Sequence, residues 1–342
     1  MDNRLAVIYH HVYVSWFGVF VAIGIFAGIA VALVLRGRQK KAFADKRIFL
    51  SDIYICTAIS MPLALVGARL FYGVFSFSEF DGPVGLLRFS AGGYGLYGAF
   101  LGVLAGAWLT VKRFGVYSLG TLLDCLAVGG ALAIAVGRFA TVFTGSELGY
   151  EVGFRFMTVY DAMQNSYTFA VYQLDGVLET VIFFVSLCFF HYCMTRGKRD
   201  WIGGKTAMVM LALHGAGQVL CDSMRADALK FPLNEFIKVS QIVGIVCCLA
   251  VLVCFFVLSV RRIGWKVRHF VMLPLILLLV ALGVFGEYRV GSGNYISNHL
   301  IMLGGMLGLS VIVICLGLGT VGKDAGKDSA AAVIMDELTA CE

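Results

Sequence analysis

Arg138 closes an apolar stretch, Cys125 to Val136, that carries no charge. An arginine at membrane depth costs at least ~2.5 kcal/mol even on lenient insertion scales, so a chain that keeps one there has an anion to hold or a carboxylate to pair with. Four more ionisable residues fall at span ends or just beyond them: Arg69 in Gly67-Ala68-Arg69-Leu70, Glu147 after the Arg138 span, and Asp222 with Arg225 in Gln218-Val-Leu-Cys-Asp222-Ser-Met-Arg225. Three arginines against two acids read as a local excess of positive charge, and that excess suits a phosphodiester. Guanidinium grips phosphate through two parallel hydrogen bonds and keeps its proton at any accessible pH. A phospholipid head group is the anion available at this depth. Asp124 stands fourteen residues before Arg138, about 21 Å away along a helix, so it belongs to the other half of the bilayer.

These residues need helices to position them. Hydrophobic types make up 60% of the chain, too much for an ordinary soluble domain. Apolar runs near 14–35, 50–74, 92–111, 119–143, 169–194, 206–224, 236–260, 270–286 and 298–320 are each long enough, or nearly so, to cross a hydrocarbon core of ~30 Å. The expected fold is therefore all-α: a polytopic integral membrane bundle of about nine transmembrane helices. Basic clusters follow every second span, at Arg36–Arg47, Lys112-Arg113, Arg196–Lys205, Arg261–Arg268 and Lys323–Lys327, and the alternate connections carry no such excess. Cytoplasmic loops attract Lys and Arg, which places the N-terminus outside and the C-terminus inside. On this reading the net charge of +6 is an orientation signal, and nucleic acid is not an expected partner, since that would need a basic patch on a soluble face.

No cleavable signal peptide is evident at the start of the chain. Most of the ten cysteines lie inside spans without a Cys-x-x-Cys pair and read as small buried hydrophobes. Gly24 with Gly28, and Gly98 with Gly102 and Gly106, are small-xxx-small sets that let helix backbones touch. The cluster Gly92-Gly93-Tyr94-Gly95-Leu96-Tyr97-Gly98 is a different signal, a glycine-rich helix start whose N–H groups can face an anion. No internal repeat of transporter period is visible.

Taken in order, these residues resemble the prolipoprotein diacylglyceryl transferase family of bacterial inner membranes. The resemblance covers roughly 12–260 and rests on Trp16-Phe17-Gly18, Gly67-Ala68-Arg69-Leu70, the Gly92–Gly98 cluster with Gly102, Asp124, Gly137-Arg138, Gly145, Gly149, Asp222, Arg225 and Gln241. It divides the chain into a transferase-like core at 1–260, two additional helices at 261–322 and a polar tail at 323–342. It implies transfer of a diacylglyceryl group from phosphatidylglycerol to the lipobox cysteine of a preprolipoprotein, with no cofactor or metal. Arg138, Tyr97, Glu147, Asp222 and Arg225 are the catalytic candidates. Arg138, Arg69, Gly98, Thr141, Gly149 and Gln218 are the substrate-binding ones. The family pattern has Tyr where Phe17 stands, His at Tyr97, Asn at Thr141 and Arg at Gln218, and its glutamate falls at Ser146 rather than Glu147.

Displacement of a phosphate by a thiol needs a cation for the departing phosphate and a base for the thiol. Arg138 and then Arg225 are the expected cations. The base is open: Tyr97 is a poor acceptor, and Asp222, Glu147, His10, His11 and the intramembrane His214 are the other groups within reach. The substituted positions leave room for a second reading, a lipid- or lipoprotein-binding relative without the chemistry. A transporter is the third, disfavoured by the missing repeat.

Overall fold

The computed structural model describes residues 4–9, 12–43, 48–80, 82–89, 92–116, 118–161, 165–196, 203–231, 234–290 and 295–321. Its long helices are α1 (Trp16–Phe43), α2 (Ser51–Phe75), α4 (Leu96–Phe114), α5 (Leu119–Ala140), α6 (Val171–Arg196), α7 (Lys205–Met224), α8 (Val239–Ile263), α9 (Val267–Val290) and α10 (Tyr295–Gly319), with a one-turn α3 (Gly82–Leu86) in the connection before α4. Among the described residues, eight helices are long and apolar enough to cross a membrane. The remaining long helix, α4, covers the expected third span but is absent from these eight. It starts at Leu96 rather than 92 and ends on Lys112, Arg113 and Phe114.

The helices pack as close pairs, α1 on α5, α2 on α4 and α7 on α8, with α6 and α7 joined to α5 in the centre. Lipid gives no hydrophobic drive for helix association, so close backbone approach has to supply van der Waals contact. Glycine makes that approach: a Cβ added to Gly98 would lie 2.3 Å from the Gly67 carbonyl oxygen, and one on Gly28 2.4 Å from that of Gly129. Gly98, an expected substrate-binding residue, lies in the α2–α4 contact. α10 packs on α7, α8 and α9. Beyond its last turn, the Thr320 carbonyl accepts hydrogen bonds from Lys205 and Arg262. These cations complement the negative end of the helix dipole and tie the last helix to the rest of the bundle.

Short strands, which the hydropathy pattern does not suggest, occupy the connections. β1 (Arg4–Tyr9) and β2 (Val12–Ser15) form a hairpin before α1, and Ser15 Oγ accepts the Gly18 N–H at 3.0 Å. β3 (Leu148–Val152), β4 (Thr158–Asp161) and β5 (Ser166–Ala170) make an antiparallel sheet in the order β3-β5-β4. Thr158-Val-Tyr and Tyr167-Thr-Phe are β-branched and aromatic residues of the kind that suit a pleated surface. β6 (Lys230–Phe231) pairs with β7 (Asn234–Lys238).

Asp124 proves to be a cap. Its carboxylate accepts the backbone N–H groups of Gly204 at 2.8 Å and Ala207 at 2.9 Å, so it closes the start of α7 from a neighbouring helix. Asp124→Ala leaves those donors bare in a buried place, which costs about 1–3 kcal/mol. The expected outcome is a lower unfolding temperature in detergent micelles, with a smaller drop for Asp124→Asn.

Candidate functional site

The end of α5 delivers Arg138, and the chain then folds back on it. A 3-10 turn over Thr141–Phe143 leads into Gly145 at φ 66° and Glu147 at φ 59°. A left-handed backbone is unfavourable for a non-glycine residue and persists where its surroundings hold it. Here the Glu147 N–H donates to Asp227 Oδ2 at 3.0 Å, and its carboxylate pairs with both Arg138 and Arg225, the latter at 3.3 Å. From α6, Asp175 Oδ2 stands 2.8 Å from Arg138 Nε. From α7, Gln218 Nε2 donates to both oxygens of Asp175 at 2.9 and 3.1 Å, while its own Oε1 accepts from Arg138 Nη2 at 3.5 Å.

Arg225 follows α7 and meets Asp227 at 3.1 Å and Asp222 at 3.5 Å. Burial disfavours its charge, but Glu147, Asp222 and Asp227 outweigh that effect and raise its pKa above the ordinary value. Lys238 lies beneath this corner and donates to the carbonyls of Asp222, Ser223 and Arg225, the end of α7. Burial pulls its pKa down, against the attraction of Glu287 and Asp222. The Arg138, Glu147 and Arg225 side chains keep 14%, 15% and 17% of their surface exposed, whereas Asp175 keeps 2%. The cluster is therefore shut at Asp175 and open at Glu147.

The expected excess of positive charge is corrected by this geometry. Asp175, Asp227 and the nearby Glu179 join Glu147 and Asp222, so the acids around Arg138 and Arg225 outnumber the arginines. Asp175 and Glu179, four residues apart inside an otherwise apolar span, carried a readable signal: two intramembrane acids on one helix face. Arg69 does not join the cluster. Its guanidinium donates to the carbonyls of Leu86, Gly93, Gly85 and Arg88 at 2.9–3.1 Å, and it is 1% exposed. It clasps the connection before α4, which is where the structure places this expected substrate-binding residue. The glycine-rich cluster serves the same clasp: the Gly93 carbonyl accepts from Arg69, and the Gly95 N–H is bonded to Ala68.

Other residues singled out in the sequence are packed into the fold. Thr141 is buried in the 3-10 turn, with its hydroxyl toward the Gly137 carbonyl. Gly149 packs where a Cβ would meet the Met224 carbonyl at 2.8 Å. Gln241 donates to the Val219 carbonyl. Tyr97 is buried with its ring against Phe71, Phe100 and His214. His10 and His11 lie outside the described residues.

Fold and site together define a multi-pass helical membrane protein built around an intramembrane arginine–carboxylate cluster. The family model for prolipoprotein diacylglyceryl transferase matches residues 4–257, and the chain belongs to that family. It is similar to the phosphatidylglycerol–prolipoprotein diacylglyceryl transferase of Clostridium kluyveri, at 26% identity over 68% of this chain and 88% of the relative. It is also similar to those of Clostridioides difficile, at 22% identity over 71% and 92%, and Paenarthrobacter aurescens, at 28% over 71% and 79%.

The clasp is testable. Arg69→Lys keeps the charge but cannot reproduce the planar fork. Each carbonyl left without a donor costs about 1–3 kcal/mol. We expect faster proteolysis between 82 and 95 and a lower unfolding temperature, with activity falling only in step with the folded fraction.

Proposed function

We propose that this protein transfers the diacylglyceryl group of phosphatidylglycerol to the lipobox cysteine of prolipoproteins. The relatives' names and the family support the reaction, and one observation carries the site: a guanidinium at the end of a membrane span, braced from below and open on one side. In the reaction a cysteine thiol loses its proton, sulfur attacks the glyceryl carbon, and the carbon–oxygen bond breaks with its electron pair leaving on phosphate. Arg138 and Arg225 stabilise that departing charge through charge-assisted hydrogen bonds. Asp175 and Gln218 fix the Arg138 fork, so little reorganisation is needed at the moment of reaction.

Glu147 already occupies the arginine edges that a phosphodiester needs, so the lipid head group takes its place. The exchange swaps one anion for another and never leaves the arginines bare. Asp222, paired with Arg225, supports the second cation. Tyr97 bounds the deep side, and Gly98, Thr141 and Gly149 shape the packing around it.

The basic connections after every second span support a bacterial cytoplasmic-membrane protein with nine spans, α4 included, N-terminus out and C-terminus in. Its core runs to about residue 260, and α9 and α10 are an addition beyond the part that the family model matches. Lipid binding without chemistry is the second reading. It draws on the two carboxylates that hold Arg138.

Purified protein given phosphatidylglycerol and a lipobox peptide should release glycerol phosphate. Loss of one preorganised donor typically lowers turnover by about 10²–10³-fold, so Arg138→Ala should do at least this while remaining monodisperse. Wild-type rates in Arg138→Ala would overturn the phosphate assignment. No release by the wild type, with lipid binding intact, would establish the binding relative instead.

A further inference from the structure

One helical turn deeper than Arg138, the same two helices make a second polar rung. Asp175 and Glu179 are four residues apart on α6, and Gln218 and His214 are four apart on α7. Residues at that spacing share a face and stand about 6 Å apart along the axis. Asp175 meets Gln218 in the upper rung, and Glu179 Oε1 meets His214 Nδ1 in the lower one. The imidazole is 0% exposed and the glutamate 1%. Tyr97 and Phe100 of α4 cover it, with ring centroids 5.7 and 5.1 Å from its own.

Three buried polar atoms of this rung and its cover lack a hydrogen-bond partner among the described residues: His214 Nε2, Glu179 Oε2 and the Tyr97 hydroxyl. Buried polar groups are nearly always paired, and each exception costs about 1–3 kcal/mol. A reacting pair leaves such atoms open, because its partner arrives with the substrate. A carboxylate on Nδ1 also fixes the tautomer: Nδ1–H donates to Glu179, and Nε2 presents its lone pair. This is the arrangement of a base and the group that orients it.

The acids nearest the arginines stand in ion pairs with them. Glu147 is paired with Arg138 and Arg225, and Asp222 faces Arg225.

Building on the transferase reading above, we propose that His214 Nε2 is the proton acceptor for the lipobox thiol, with Glu179 as its positioning residue. The S–H proton passes to Nε2, and the thiolate forms the new carbon–sulfur bond. The carbon–oxygen bond breaks toward phosphate, and the imidazolium then gives its proton to the departing phosphate.

The test uses two lipobox peptides with the full-length protein in phosphatidylglycerol micelles. One carries cysteine. The other carries selenocysteine at the same place, whose selenol is already ionised at neutral pH and needs no base. Removing a general base lowers the rate by roughly 10²–10⁴-fold. His214→Gln should lose that much with the cysteine peptide and far less with the selenocysteine peptide. Glu179→Gln, which keeps the imidazole, should show a smaller loss with the same selective rescue, and it decides the matter if His214→Gln does not fold. A packing defect depresses both peptides alike, so equal losses overturn the proposal. So does a wild-type rate in His214→Gln. Failure of the wild type with both peptides would instead sink the transferase reading on which this rests.

Discussion

A guanidinium that must stay charged within an apolar medium sets the terms for everything around it. Arg138 has acceptors on several edges, two of them carboxylates and one an amide oxygen, all mostly out of water. Removing one partner of such a group is far more destabilising than the pair is stabilising, because the remaining charge stays buried. The compensation therefore spreads outward. Gln218 supports Asp175, Arg225 shares Glu147, Asp227 holds both Arg225 and the Glu147 backbone, and Lys238 gathers the last carbonyls of α7. One cation from α5 thus enlists residues from α6, α7, the loop before β3 and the strand before α8.

Much of this was legible in the sequence, for physical reasons that differ by feature. Arg138, Glu147, Asp222 and Arg225 stand out because a charge is conspicuous against apolar neighbours, and the structure brings all four together. Long apolar runs gave the helices for the same reason. Arg69 stood out equally, but a sequence shows only that a buried arginine needs acceptors, and here the carbonyls of a nearby loop supply them. Asp175 and Glu179 were passed over although their spacing placed them on one helix face. Their partners lie on α7, and only the pairing of α6 with α7 gives them meaning. The strands around 148–170 escaped because hydropathy over long windows is blind to segments of four or five residues.

Glycine links packing to chemistry. The contact of Gly67 with Gly98 brings α2 and α4 to backbone distance, and Arg69 and Tyr97, one or two residues from it, point to different tasks. Arg69 closes the loop at that end of the pair. Tyr97 presents its ring to α7. A larger residue at either glycine would move both.

The double rung between α6 and α7 has a mechanical consequence. Sliding one helix past the other by a single residue, a shift of about 1.5 Å, would pull both acids away from both partners at once. Piston motion along this seam is thereby blocked, and the two helices act as a stiff wall. Compliance has to come from the loop ahead of β3, where Glu147 is held in a left-handed conformation by side-chain partners. In the proposed reaction, the stiff side would keep the chemistry in register and the soft side would be the threshold for a lipid head.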